Sequence, residues 1–322
     1  MTADARRRIG KMANVNNMDR LFESVAAKGH VCVGLDTAAS LVPPRGRLWL
    51  DDADAALAYN RALVDATLDV AACYKAQIAC YEEMGLDGLR AYARTLEYAR
   101  SRGALVIADV KRGDIADTAA RYAKAHFSGD FEADFVTLSP YMGMDSVEPW
   151  LEAARPGGKG AFVLARTSNK GMRDFEYLEV AGGGAEAGAP GGGKRRVYHA
   201  VADRLAALAE RSAGSSGYGA FGAVVGCTEC EEAAEIRAAY PGLFFLIPGY
   251  GAQGGAARDA ALLLRGGNGG VVNASRSIIG AWAAKAKALG LDEGAASVEF
   301  AAEAAREAAT EMRDAIRAAA GA

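Results

Sequence analysis

Eight short apolar runs, each followed by a longer amphipathic or polar stretch, limit most strongly what this 322-residue chain can fold into. The runs cover residues 31–36, 71–78, 104–110, 134–138, 160–165, 220–226, 243–247 and 269–274, and helix-like segments at 52–70, 85–102, 115–127, 197–211 and 230–240 lie between them. Strands buried on both faces read as continuous apolar runs, whereas the intervening segments carry a helical period. Eight βα repeats point to a TIM (β/α)8 barrel, whose active-site loops all follow the C-terminal ends of strands. A doubly wound open sheet fits the same periodicity, which does not report closure. Residues 16–28 read as a helix before the first strand and 292–320 as an Ala/Glu/Arg-rich helix after the last. The expectation is one domain over 1–322, a barrel core at about 31–290 with helical extensions at both ends.

Composition removes several classes of function. Lys and Arg total 37 against 40 Asp and Glu, a net charge of −3, so the basic footprint of a nucleic-acid binder is missing. The apolar runs are strand-sized, well short of the ~18 to 20 residues that span a bilayer. Arg6, Arg7 and Arg8 precede no apolar segment of the kind a secretory signal needs. Five cysteines without framework spacing fit reduced thiols in the cytoplasm. Cys227 and Cys230 form a lone CxxC, and His30, His126 and His199 are scattered. A structural zinc would need two more ligands, so these cysteines read as buried apolar groups and no metal site is expected. Residues 181–193, AGGGAEAGAPGGG, are too poor in side chains to bury a core. They read as a flexible Gly-rich insertion after the fifth strand, either a tolerated excursion or a lid.

The densest chemistry is DVKRGDI at 109–115, the exit of the third strand. Asp109 and Lys111 are two apart and share a side of a strand. Gly113 permits a turn, Asp114 opens the next helix, and Thr118 lies one helical turn beyond on the same face. A surface ion pair with an Asp N-cap would use the same residues, but catalytic groups of barrels sit at this end. Lys75 is the lone charge in VAACYKAQIA. It either snorkels out at the rim or faces inward beside carboxylates, where it would join Asp109, Lys111 and Asp114 in an alternating array that keeps each ammonium protonated.

Gly249, Gly251 and Gly254 match GxGxxG after the run LFFLI. A dinucleotide site also needs an acidic residue about 20 positions on, and the next strand instead ends Asn273-Ala274-Ser275. No nicotinamide cofactor is expected. What remains is a Gly-rich loop whose amides can approach a phosphate. The loops after strands seven and eight are the usual phosphate site of such barrels. Gln253 offers an amide donor there, and Arg276, a cation the helix dipole disfavours at a helix start, offers a bidentate fork. The substrate should be a phosphate monoester. Asp36, at the first strand's exit, could hold sugar hydroxyls. Arg166-Thr-Ser168-Asn169-Lys-Gly171 could read a base edge, although both groups also suit turns.

Taken in this order, Gly34-Leu-Asp36, DVKRGDI, PGYGAQGG and ASRS resemble the orotidine 5′-phosphate decarboxylase family, from Val31 to about Ile279. The Arg166-Thr-Ser168-Asn169 loop and the length resemble its longer bacterial branch, type 2. The resemblance implies decarboxylation of orotidine 5′-phosphate to UMP, the last step of de novo UMP synthesis, without metal or cofactor. It implies Lys111 as proton donor to C6 and Asp109 beside the departing carboxylate, with Lys75 and Asp114 completing the charged array. Asp114 and Thr118 would reach into the neighbouring subunit of a homodimer. Asp36 would hold the ribose, Ser168 the pyrimidine, and Gln253 and Arg276 the 5′-phosphate. It assigns nothing to residues 137–141. A Mg²⁺-dependent sugar-phosphate decarboxylase or aldolase of the same barrel group is the alternative within the fold, and a non-catalytic nucleotide-phosphate sensor the alternative outside catalysis.

Overall fold

All eight apolar runs are strands. The computed structural model describes residues 16–180, 195–229 and 231–321. In it β1 (Val31–Gly34), β2 (Cys73–Gln77), β3 (Val106–Arg112), β4 (Phe135–Leu138), β5 (Gly160–Arg166), β6 (Phe221–Val225), β7 (Phe245–Ile247) and β8 (Gly270–Ala274) each overlap one run. Every strand pairs in parallel with the next, and β8 returns to β1 with Val272 opposite Val31. This closed barrel replaces the open-sheet alternative.

The helices are α1 (Asn17–Lys28), α2 (Asp52–Thr67), α3 (Ala79–Glu82), α4 (Gly85–Ser101), α5 (Ala116–Phe127), α6 (Glu148–Ala154), α7 (Met172–Phe175), α8 (Val197–Glu210), α9 (Ala233–Ala239), α10 (Ala257–Ala261), α11 (Arg276–Ile279), α12 (Ala281–Ala288) and α13 (Val298–Ala320). Helices α3, α6, α7, α10 and α11 are too short for a helical period to show in sequence. The segment expected as one helix over 292–320 divides, because the Ser297 side chain accepts from the Phe300 N–H and starts α13 there, after a 3-10 turn at Glu293–Ala295. The insertion at 181–193 and Cys230 lie outside the described residues. On either side of that insertion Glu179 bridges Arg196 in antiparallel fashion, and the Val180 N–H donates to Arg195 O at 3.0 Å.

Strand alternation sorts side chains between two cores. One cluster packs outward strand residues such as Val33, Tyr74, Ala108, Val136 and Val163 against the helices. A second takes Cys32, Cys73, Ile107, Phe135, Phe162, Val224, Leu246 and Val271, one from each strand, together with Met18, Leu21 and Val25 of α1. It is the barrel interior, plugged at the N-terminal end by α1. Asp19 secures that plug by accepting from the backbone N–H groups of Ser215 and Ser216 at 3.0 and 2.8 Å. Filling the barrel interior with apolar side chains sets the cavity-lining polar groups of the strands in the layer nearest the C-terminal rim.

Candidate active site

Two residues beyond the interior apolar layer, the same strand faces become polar. Cys73 is followed by Lys75 and Gln77, Ile107 by Asp109, Phe135 by Thr137, and Val271 by Asn273. These side chains, with Asp36, Lys111, Ser168, Asn169 and Gln253, line a cavity of about 270 Å³ at the C-terminal end of the barrel. Leu164, Val224 and Leu246 form its apolar wall.

Four charges alternate along one side. The Lys75 ammonium donates to Asp36 Oδ1 at 3.1 Å and to Asp109 Oδ2 at 2.9 Å, and Lys111 Nζ donates to Asp109 Oδ1 at 2.6 Å. Lys75 and Asp109 are 5% and 6% exposed, so neither could stay charged alone at low cost. Burial works against the charge of Lys75, but Asp109 and Asp36 outweigh it and hold the ammonium pKa above the ordinary lysine value. Burial likewise opposes the Asp109 carboxylate, and Lys75 and Lys111 together outweigh that, so it titrates well below the usual range. Lys75 and Asp109 are therefore both ionised at neutral pH. Lys111 differs from Lys75 in having a side chain about half exposed, open to the cavity.

The surrounding sequence fixes these positions. Asp36 Oδ2 accepts from Ser275 Oγ at 2.7 Å, and this contact needs Gly34, where a Cβ would lie 1.9 Å from that hydroxyl oxygen. The exit of β1 is held from below by Tyr81, whose hydroxyl donates to Leu35 O at 2.8 Å. Gln77 donates to Asp109 Oδ2 at 3.1 Å. At the end of β3 the ladder with β4 is irregular between Ala108 and Arg112, and Lys111 takes φ +43. The turn after β3 therefore relies on a left-handed lysine and not on Gly113, which has no positive φ.

Sequence-selected residues distribute unevenly. Asp36, Lys75, Asp109, Lys111, Ser168 and Gln253 meet at the cavity. Asp114, Thr118 and Arg276 do not line it within one chain. Asp114 also does not cap the next helix. It accepts from the Ile115 N–H at 2.8 Å, and α5 begins at Ala116, which has φ +46. The fourth member of the array within this chain is Asp36, where sequence spacing suggested Asp114. Arg166 is not a base reader: it is 1% exposed, donates to Gly226 O and lies 3.7 Å from Glu232. Thr167 is occupied by Glu176, to which its N–H and hydroxyl donate at 2.8 and 2.7 Å. Ser168 and Asn169 face the cavity beside it, and Gly226 lets that loop approach, since a Cβ there would sit 2.9 Å from Ser168 Cα.

In the Gly-rich loop, Gly249, Gly251 and Gly254 all have positive φ. The Gly251, Gly254 and Gly255 N–H groups are satisfied inside the loop, by Gly255 O, Gly251 O and Gly249 O. The loop thus spends three of the amides expected for an anion, and its Gln253 side chain faces the cavity. Arg276 begins α11 at the neighbouring rim, exposed. Cys227 of the CxxC is buried, with its Sγ 3.4 Å from Pro248 O. Among the described residues no group of three His, Cys, Asp or Glu side chains is placed to hold a metal, and no helix is long and apolar enough to cross a membrane. Gln77, Thr137, Asn273 and Ser275 were missed as site residues. Counting in twos from the apolar interior positions would have found the first three.

The family model for orotidine 5′-phosphate decarboxylase / HUMPS matches residues 29–290 of this site-bearing barrel. The chain belongs to that family. Relatives in the orotidine 5′-phosphate decarboxylase / HUMPS family cover nearly its whole length. The orotidine 5′-phosphate decarboxylase of Clostridium acetobutylicum is 50% identical over 301 residues, 93% of this chain and 98% of its own. That of Clostridium perfringens is 50% identical over 300 residues, 93% and 97% of the two chains. Among solved structures, a putative orotidine 5′-phosphate decarboxylase from Streptomyces avermitilis superposes with a TM-score of 0.73 at 32% identity, covering 94% of this chain and 95% of that one. Leishmania donovani OMP decarboxylase gives 0.70 at 31% identity, covering 96% and 100%.

Proposed function

We propose that Lys111, Asp109, Asp114 and Lys75 carry out the decarboxylation of orotidine 5′-phosphate to UMP, the carboxy-lyase reaction of the family's curated members. The observation that carries this reading is a cavity-facing ammonium, Lys111, held 2.6 Å from a buried ionised carboxylate, Asp109. When the C6–carboxylate bond breaks, CO₂ leaves and the electron pair stays on C6, in an sp² orbital perpendicular to the ring π system. No carbonyl of the ring can delocalise it. A fixed positive charge beside C6 stabilises that pair, more strongly in an enclosed site than in water. A proton then moves from Lys111 Nζ to C6, giving UMP. Asp109, kept anionic by Lys75, also stands where the substrate carboxylate would be repelled, so charge that is unfavourable on binding is relieved as CO₂ departs.

In this reading Asp36 takes the ribose, Ser168 the pyrimidine, and Gln253 with Arg276 the phosphate. Phosphate binding remote from C6 can be used to close the site and lower the barrier. The Mg²⁺-dependent sugar-phosphate alternative is disfavoured by Lys75. Its ammonium already sits between Asp36 and Asp109, at 3.1 and 2.9 Å, in the place a divalent ion would need. We read the chain as a single domain over 1–322 that works in the cytoplasm as a homodimer, with Asp114 and Thr118 completing the partner's site. Support for the dimer is the exposure of apolar side chains on the loops that follow β3 and β4, where Ile115, Tyr141 and Met142 are 46%, 84% and 49% exposed.

The test is the ultraviolet change on adding orotidine 5′-phosphate to chelator-treated protein. Turnover is expected, with a loss of at least about 10³-fold in Lys111→Ala, the scale of a positioned proton donor combined with its charge. Unchanged turnover in that variant would refute the mechanism, and activity lost on chelation would return the Mg²⁺ reading.

A further inference from the structure

Thr137, in β4, is 1% exposed and contributes no charge, yet its hydroxyl uses its whole hydrogen-bonding capacity within the catalytic strand. A threonine hydroxyl has one proton to donate and two lone pairs to accept with. Here Oγ1 accepts from the Val110 N–H at 3.0 Å and the Lys111 N–H at 2.9 Å. The proton is therefore left for Asp109 Oδ1, 2.8 Å away. That is the same oxygen that Lys111 Nζ reaches at 2.6 Å.

These contacts surround the point where β3 leaves its regular ladder with β4 and Lys111 adopts φ +43, a conformation that L side chains rarely hold without local compensation. Regular pairing would give the Val110 and Lys111 amides carbonyl partners on a neighbouring strand. Here, where the register shifts, two consecutive amides donate to one side-chain oxygen. The same oxygen orients the Asp109 carboxylate that in turn holds the lysine head. Backbone and side-chain ends of Lys111 are thus tied to one atom.

We infer that Thr137 is a positioning residue for the decarboxylation, holding the backbone of Lys111 in its left-handed turn and the Asp109 carboxylate against the Lys111 ammonium. The inference rests on the assignment of Lys111 as proton donor. It differs from a packing role in depending on the hydroxyl and not on the methyl group.

Two near-isosteric variants separate these roles. Thr137→Val keeps the shape and loses the hydroxyl, whereas Thr137→Ser keeps the hydroxyl and loses the methyl. The expected result is a fall in kcat of about 10²-fold for Thr137→Val, the scale of misplacing a reacting group by an ångström. The Kd for UMP should stay within about threefold and Thr137→Ser should remain within about threefold of wild type in kcat, since product binding uses other groups. Near-normal kcat in Thr137→Val, or equal damage in Thr137→Ser, overturns the inference while leaving the decarboxylase reading in place. Should Thr137→Val not fold, Thr137→Cys, whose thiol is a weak donor and acceptor, takes its place with the same outcomes. If the wild type itself shows no turnover, the decarboxylase reading fails. A crystal structure of the variant then decides: Lys111 displaced from Asp109 supports the tie, and Lys111 unmoved removes it.

Discussion

Replacing Lys75 by methionine tests whether the array is held together by mutual neutralisation. Methionine preserves most of the side-chain volume but leaves Asp109, 6% exposed, with Lys111 as its one remaining cation among the described residues, and leaves Asp36 without the ammonium that stood 3.1 Å away. Removing one partner of a buried ion pair costs about 3–5 kcal/mol, because the other charge stays desolvated. The pH dependence identifies the cause. In the wild type the depressed Asp109 pKa contributes stability that is complete above the ordinary carboxylate value of about 3.9, and it is lost as pH falls through the folded value. The raised Lys75 pKa contributes stability that is complete below about 10.4 and lost as pH rises through its folded value. Between these limits the contribution of the Lys75–Asp109 pair is constant. In Lys75→Met burial of Asp109 persists while half its pairing is gone, so its pKa moves up and protonation relieves the variant. Urea unfolding should show a deficit of about 3–5 kcal/mol at pH 7.5 that narrows toward pH 4.5. Adding Asp109→Asn should recover part of it, because the under-paired buried anion is then removed. A deficit below about 1 kcal/mol, the size of an exposed ion pair, or one that does not change with pH, would refute the reasoning.

Two further outcomes address the parts of the site that one chain leaves open. Mixing inactive Lys111→Ala and Asp114→Ala chains under subunit exchange should restore about a quarter of wild-type activity, because half of the resulting twofold dimers are hybrids with one intact site; no recovery from folded, dimeric parents places Asp114 in its own subunit's site. Arg276→Ala should weaken UMP binding about 10- to 150-fold, the range for a hydrogen bond to a charged group, and leave uridine binding unchanged. Titration calorimetry with both ligands measures this, and an equal loss for uridine would remove Arg276 from phosphate recognition.

The eight strands were legible because burial on both faces forces continuous apolar runs; Asp36, Asp109 and Lys111 stood out as charges toward their C-terminal ends, and Lys75 as the lone charge within one run. Gln77, Thr137 and Asn273 did not, since a polar residue at a strand's end is equally consistent with a turn. Their roles depend on which side of the strand they occupy and what faces them from another strand. Asp114 shows the converse: sequence spacing puts it beside Asp109 and Lys111, but it follows the left-handed turn at Lys111 and does not line the single-chain cavity. Arg166 adjoins the site in sequence and is buried behind it, directed to Gly226 O and Glu232.

By itself, then, the sequence determined the repeat, the positions of the strands and the rim charges, all of which follow from hydrophobic period and strand polarity. Only the tertiary structure decided closure of the barrel, the pairing of Lys75 with Asp36 as well as Asp109, and the use of one Thr137 hydroxyl by three partners. The physical reason is that charge neutralisation and hydrogen-bond satisfaction join residues from different strands at about 3 Å, and no local pattern in a chain encodes those distances.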